Sequence, residues 1–355
     1  MNIDKLVGNT PMIKIDYEYE GKISSIYSKL EFYNYSGSIK DRIALYIIQK
    51  ERENGNLSEG QSIVEVTSGN TGIAFSAIGA LFGHDVHIFM PDWVSLERRK
   101  LIEMYGAHVH LVSKEEGGFK RALELAEDFA NETGAYRPLQ FDNELNVEAQ
   151  YKTTGQEIID ELPGVNAFVS GIGTGGTLMG VGKRLKENNP SSKVFALEPS
   201  TLSILKMGME EGSHMIEGIG DDFIPGIVDE DLIDDIVLID DCDAINMAKL
   251  IAKEFGLGIG ISGGANFLAS VLMDDDDLRI ATVFPDDNKK YITTKLSEDI
   301  DNKPGLFSNK IKLIGFEVLW YIFFYSHNGV TFRVTHFSFF DTFKYYTNKS
   351  NNRSL

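Results

Sequence analysis

An α/β fold of two domains, each a mostly parallel sheet wrapped by helices, is predicted on three observations. Between Ile63 and Phe284, short apolar runs alternate with amphipathic stretches, the pattern of strands connected through helices. The stretches between the runs carry apolar residues at helical spacing. The chain has 355 residues, 43% of them hydrophobic, which is more than one core usually serves.

In chain order, Ile63-Val64-Glu65-Val66 is the first strand of the alternation, and the small-residue stretch Ile73 to Leu81 is its helix. Strands Val86 to Met90 and Ala107 to Val112 follow, and Gly118 to Thr133 places Ala122, Leu125, Ala126 and Phe129 on one helical face. Ala167 to Ser170 leads into a helix over Thr177 to Asn188, and Val194 to Leu197 is the next strand. Asp243 to Phe255 is helical through Ile245, Ala248, Leu250, Ile251 and Phe255, and Ile280 to Phe284 closes the series. No fixed-period repeat is present.

The formal net charge of −19 argues against nucleic acid and against anionic membrane, both of which need positive surface. Met1 to Lys5 lacks the basic and apolar pattern of a signal peptide, and no apolar run approaches the roughly 18 residues of a bilayer span, so a cytoplasmic enzyme is the simplest expectation. One cysteine, Cys242, offers neither an intrachain disulfide nor a thiolate metal site. Of the seven histidines only His108 and His110 share a strand, where they read as solvated residues, and no metal site is predicted. Asp274 to Asp277 lacks the spacing of a calcium loop and reads as a solvated turn.

The chemistry lies in small-residue loops. Lys40 sits in Asn34-Tyr35-Ser36-Gly37-Ser38-Ile39-Lys40-Asp41-Arg42, a tight turn into a helix whose first turn would present the amine inward. A primary amine condenses with an aldehyde, and backbone N–H groups at helix starts hold phosphates and carboxylates. Two such starts follow. Thr67-Ser68-Gly69-Asn70-Thr71-Gly72 succeeds a strand and opens a helix, and so does Gly171-Ile172-Gly173-Thr174-Gly175-Gly176-Thr177. Together they point to an aldehyde cofactor bearing a phosphate, pyridoxal 5'-phosphate. The rival is a dinucleotide fingerprint, since Gly171-x-Gly173-x-x-Gly176 precedes Glu198 by about twenty residues, which would place Glu198 on a ribose. The hydroxyls of Thr174 and Thr177 suit a single terminal phosphate better.

In this order the three segments resemble the cysteine synthase (O-acetylserine sulfhydrylase) family of fold-type II pyridoxal-phosphate enzymes, from about Gly8-Asn9-Thr10-Pro11 to about Tyr291-Ile292-Thr293-Thr294. The resemblance implies a tryptophan synthase β-like fold. Residues 35–144, with 1–10, would form a smaller mobile domain that clamps substrate, and residues 11–34 and 145–297 a larger one that binds the cofactor phosphate. It further implies that Lys40 carries the cofactor and then removes the Cα proton. Gly173, Thr174, Gly175, Gly176 and Thr177 would hold the phosphate, while Ser262, in Gly260-Ile261-Ser262-Gly263-Gly264, would meet the pyridine nitrogen. A hydroxyl there makes a weaker electron sink than an aspartate would, which favours elimination at Cβ over transamination. Thr67, Ser68, Gly69, Asn70, Thr71 and Gln140 would clamp the substrate carboxylate, with Asn70 also on the phenolic oxygen.

The implied reaction replaces the acetate of O-acetyl-L-serine by sulfide to give L-cysteine. Gly218-Ile219-Gly220-Asp221-Asp222-Phe223-Ile224-Pro225 resembles the family loop near the leaving group. Cystathionine β-synthase, a β-eliminating desulfhydrase and a regulatory protein without turnover are the alternatives. A homodimer and the C-terminal peptide of serine acetyltransferase are the implied partners. Departures from the family pattern include Tyr35-Ser36, Gly263 and the stretch Pro285-Asp286-Asp287-Asn288-Lys289-Lys290-Tyr291, whose lysine pair would alter the pocket wall.

Residues 298–355 differ from the rest. They hold 14 of the 38 aromatics and carry +2, with 7 Lys and Arg against 5 Asp and Glu, within the total of −19. Every assigned group precedes them, and Leu313 to Tyr325 and Phe337 to Tyr346 show no clear periodicity. The expectation is an atypical appendage that packs poorly, with a membrane-facing role for Trp320 to Tyr325 as the alternative.

Overall fold

The computed structural model describes residues 3–209, 211–298 and 305–319, together with the backbone of strands at 321–325 and 331–335. The elements, in order, begin with the strands β1 (Met12–Tyr19) and β2 (Lys22–Leu30) and the helix α1 (Lys40–Glu53). Next come β3 (Ile63–Val66), α2 (Asn70–Phe82), β4 (Val86–Pro91), α3 (Leu96–Met104), β5 (His108–Val112) and α4 (Gly118–Thr133). Then α5 (Glu144–Gln150), α6 (Gln156–Glu161), β6 (Ala167–Gly171), α7 (Gly176–Asn188), β7 (Lys193–Pro199) and α8 (Ile204–Met207) follow. The remainder is β8 (Asp235–Ile239), α9 (Asp241–Phe255), α10 (Ile261–Leu272), β9 (Ile280–Phe284), β10 (Lys312–Leu319), β11 (Tyr321–Tyr325) and β12 (Thr331–Thr335).

Strands β3, β4 and β5 form a small parallel sheet. A seven-stranded sheet runs β10-β1-β2-β9-β6-β7-β8, parallel from β2 to β8 and antiparallel at the other edge. That edge was not anticipated by the alternation from Ile63 onward. It arises because Met12 to Tyr19 alternates apolar and polar residues, and the Glu20-Gly21 turn takes φ of 51° and 79°. Two consecutive left-handed residues are what a two-residue hairpin with strand-matched twist requires.

Apolar residues fill both faces of each sheet. One face of the large sheet packs on α9 and α10 through Ile245, Ile251, Phe267 and Leu268, and the other on α7 through Leu178, Met179 and Val181. The small sheet lies between α1 with α2 and α4. No helix among the described residues is long and apolar enough to cross a membrane.

The expected poor packing of the tail does not hold for residues 305–319. Strand β10 pairs with β1 from Met12↔Leu319 to Glu18↔Lys312, because the hairpin leaves β1 with an unpaired outer edge. Ser308 donates from both its amide and its hydroxyl to Asp243 Oδ1 on α9, each at 2.7 Å. Ile311 is buried, Phe307 meets Tyr19 edge-on, and Phe316 meets Phe255. Strands β11 and β12 pair antiparallel. Trp320, the side chains of Tyr321 to Tyr325, and the stretch Phe337 to Tyr346 lie outside the described residues.

Candidate active site

Lys40 is the first residue of α1, and the turn before it is tied down by Asp41. The Asp41 carboxylate accepts from the Ser36 amide at 2.8 Å and from the Ser36 hydroxyl, while Ile39 N donates to Pro285 O at 2.9 Å. Beneath the turn the helix is anchored by charge. The fully buried Arg42 guanidinium meets Glu31 and Glu157 at 2.6 Å each, and buried Lys29 meets Glu157 at 2.8 Å and Glu161 at 2.9 Å. These partners hold the Glu157 carboxyl well below the usual carboxylate range and raise the Arg42 pKa, despite the opposing desolvation of each. An ion network this dry is costly to break, so the base of the lysine helix is fixed.

Lys40 opens into a cavity of about 290 Å³ that Asn70, Thr174, Ser262 and Asp221 also line. Burial pushes the Lys40 ammonium down to about 8, and the carboxylates of Asp221 and Asp286 keep it from falling further. An amine so placed is neutral far more often than a surface lysine, as a nucleophile or proton acceptor must be.

Three further helix starts face this region: α2 begins at Asn70, α7 at Gly176 and α10 at Ile261, and none has a side-chain cap. Apart from Gly176 N, which donates to Thr174 Oγ1 at a long 3.4 Å, their first N–H groups are left for an anion. At α7 the sequence leaves no choice of residue. Gly175 has φ of 87°, and a Cβ on Gly176 would lie 2.0 Å from Asn146 Oδ1. Asn146 in turn donates to Gln140 O at 2.8 Å and Thr174 Oγ1 at 3.0 Å, joining two of the predicted loops. Ser262, expected to meet the pyridine nitrogen, is the second residue of α10 and is buried.

The predicted residues thus converge. Lys40, Thr67, Ser68, Asn70, Thr71, Gln140, Gly173, Thr174, Gly175, Thr177 and Ser262 all line the cavity, with Gly69 and Gly176 in the adjoining backbone. Gln140 is more committed than expected: its amide donates to Val66 O at 2.7 Å and accepts from Thr71 Oγ1 at 2.6 Å. Glu198 is not free for a ribose. Its carboxylate caps α8, accepting from Ser203 Oγ and from the amides of Ile204, Leu205 and Lys206 at 2.6–3.1 Å.

Asp286, Asp221 and His214 carried no assigned role in the sequence, and Lys290 was expected only to alter the pocket wall. Asp286 accepts from Asn70 Nδ2 and from the Tyr291 hydroxyl, both at 2.8 Å, and its backbone bridges to Ser38 and accepts from Gly260 N. It joins the lysine, asparagine and serine loops. Lys290 is buried and donates to Gly37 O at 2.8 Å and Asn70 Oδ1 at 3.1 Å; burial lowers its pKa. Asp221 and His214 line the cavity as well. Burial raises the Asp221 carboxyl to about 6, with Asp222 pushing the same way and His214 and Lys40 opposing. His214 Nε2 lies 2.7 Å from Gly220 O, while its Nδ1 is buried without a partner. The one sequence signal for Asp221 was its place in the loop Gly218 to Pro225.

The family model described as pyridoxal-phosphate dependent enzyme matches residues 3–286. A cysteine synthase of Staphylococcus aureus (strain Mu50 / ATCC 700699) is 38% identical over 300 residues, 83% of this chain and 96% of that protein. Among solved structures, a hydrogen sulfide-producing enzyme from Fusobacterium nucleatum matches with a TM-score of 0.86 at 47% identity, covering 89% of this chain and 97% of that one. An O-ureido-L-serine synthase matches with a TM-score of 0.79 at 35% identity, covering 86% and 98%.

Proposed function

We propose, since this chain belongs to the pyridoxal-phosphate dependent enzymes, that it acts at Cβ of a β-substituted L-amino acid, replacing the acetate of O-acetyl-L-serine by sulfide to form L-cysteine. The observation that carries this reading is a lysine amine lowered to about 8 in a cavity that also receives the uncapped starts of α2, α7 and α10. That donor set fits a phosphate-bearing aldehyde. When bound, pyridoxal phosphate supplies the electron sink that makes a Cα proton removable.

In this reading the protein's own groups divide the work. The amides from Gly173 to Thr177 and the Thr174 and Thr177 hydroxyls would hold the phosphate, and Ser262 would meet the ring nitrogen. Thr67 to Thr71 bind the substrate carboxylate, with Gln140 bracing Thr71. Asp286 and Lys290 fix the Asn70 amide from both of its ends, so that it is oriented before substrate arrives. Lys40, released, takes the Cα proton, for which a pKa of about 8 suits neutral pH. Residues 35–144 act as the smaller domain that closes over the substrate. The carboxylate cradle would also receive the terminal carboxylate of a serine acetyltransferase peptide, and a homodimer is the assembly that accords with this reading.

A second reading, release of sulfide from L-cysteine, is favoured by Asp221. Acetate leaves without a proton, whereas sulfide is a stronger base and leaves better when an acid protonates it. A buried carboxyl raised to about 6 is such an acid, and in the synthetic direction the same group accepts the proton of incoming sulfide. The 47% identical Fusobacterium enzyme, described as hydrogen sulfide-producing, supports this direction.

The test is turnover by the purified holoenzyme of O-acetylserine with sulfide and, separately, of L-cysteine alone, scoring cysteine, sulfide and pyruvate. Asp221→Asn should depress release from cysteine more than acetate loss from O-acetylserine. Failure of both substrates would overturn the β-substitution reading, and equal loss on both would remove Asp221 from the leaving-group step.

A further inference from the structure

The register of the small sheet assembles a cluster far from Lys40. In β4 and β5, His87 pairs with His108 and Phe89 with His110, so three imidazoles gather at one face, with Asp85 just before β4. His87 Nε2 lies 3.1 Å from Asp85 Oδ2, and His108 Nε2 lies 3.1 Å from Asp85 Oδ1. On the other side of its ring, His87 Nδ1 lies 3.1 Å from His110 Nε2. The His87 ring is held between His108, with centroids 4.6 Å apart, and Phe129 at 4.4 Å, while His110 stacks on Phe89 at 4.3 Å. The spacing of His108 and His110 alone gave only solvated strand residues, because neither Asp85 nor His87 is near them in sequence.

We propose that Asp85, His87 and His108 form a binding site for a divalent transition-metal ion of the zinc class, with His110 orienting His87 from behind. One donor atom from each of the three lies within 4.8 Å of the others. The two 3.1 Å separations approach the roughly 3.3 Å between ligands that share a tetrahedral zinc at 2.0–2.1 Å. Two imidazoles and a carboxylate suit zinc, nickel or copper, whereas calcium and magnesium call for oxygen donors. The His87–His110 contact provides what a ligating histidine needs, a partner for its second nitrogen that fixes the tautomer. His110 Nε2 is placed to accept the His87 Nδ1 proton, which would leave the His87 Nε2 lone pair for the metal. Asp85 and His108 are about half exposed, so water completes the coordination and the ion enters without unfolding. The cluster sits at the N-terminal ends of β4 and β5, whereas the candidate active-site loop of this sheet follows the C-terminal end of β3. The ion would therefore brace this sheet and take no part in the chemistry at Lys40.

Zinc chloride titrated calorimetrically into the chelator-washed holoenzyme tests this, with calcium chloride as the control. One tightest zinc per chain is expected, weakened at least about tenfold by either Asp85→Asn or His108→Asn, and about tenfold by His110→Phe acting through the orientation of His87. Zinc should also raise the melting temperature of the wild type and not of Asp85→Asn, and calcium should not bind. These are exposed positions apart from His110, and circular dichroism of each variant verifies its folding. Binding that is absent, or unchanged by both Asp85→Asn and His108→Asn, would show that the cluster is a set of ordinary histidine–aspartate contacts.

Discussion

Replacing Lys40 by methionine should make the cofactor-free protein more stable near neutral pH, and the gain should vanish in alkali. The side chain is similar in length, so packing changes little, while the buried charge is removed. Desolvation lowers the Lys40 pKa from 10.5 to about 8, which makes the charged form about 3 kcal/mol less favourable in the folded chain than in the unfolded one. The sign follows from proton counting. Below about pH 8 the amine is protonated in both states, and the folded chain bears the whole cost. Between about 8 and 10.5 only the unfolded chain holds the proton, so wild-type stability rises with pH. Above that range neither state is charged and the cost is gone. Urea unfolding of wild type and Lys40→Met at pH 7 and pH 10.5, each without cofactor, should show a gain of up to about 3 kcal/mol at pH 7 that shrinks toward zero. Lys40→Met should also lose the visible absorption of the cofactor-loaded protein. A gain that is absent, or equal at both pH values, would refute the claim that the amine is desolvated.

Arg42→Met should destabilise the protein by about 3–5 kcal/mol in urea unfolding, because it strands the buried Glu31 carboxylate and leaves the partly buried Glu157 with Lys29 alone; a change under 1 kcal/mol would mean that water enters the network. Truncation after Ser297 should lower the urea midpoint, since Ile311 alone contributes about 1.5–3 kcal/mol by burial. The shortened chain should also aggregate through the bared edge of β1, and light scattering equal to wild type would contradict this. Ser262→Asp should slow elimination relative to wild type by strengthening the electron sink, measured as product release from O-acetylserine; unaltered rates would remove Ser262 from the ring nitrogen.

The loops that build the candidate site were legible because their chemistry is local. An anion cradle needs glycine and hydroxyls within a few residues of a helix start, and Gly173 to Thr177 and Thr67 to Thr71 carry that pattern in sequence. The role of Asp286 was not legible, nor was that of Lys290 beyond the pocket wall, since both act through Asn70, 216 residues before Asp286, and Tyr291 acts through Asp286. Asp221 stood in a loop already marked, yet nothing within the loop shows that burial will raise its carboxyl. The same limit applied to the fold. Periodicity revealed the parallel strands β3 to β7 and β9 but neither β2 nor β8, and β10 is partly exposed along its length, so that only the open edge of β1 gives it a place.

The pairing of Met12 with Leu319 has a consequence for how this chain comes to be folded. On a ribosome, which emits the N-terminus first, β1 leaves the tunnel long before its outer neighbour β10. Until β10 emerges, the nascent chain presents an alternating strand with a free row of amides and carbonyls. Contacts so distant in sequence are slow to close, and during that interval the strand is a template for other chains. Shielding of that edge during synthesis would therefore favour the native pairing.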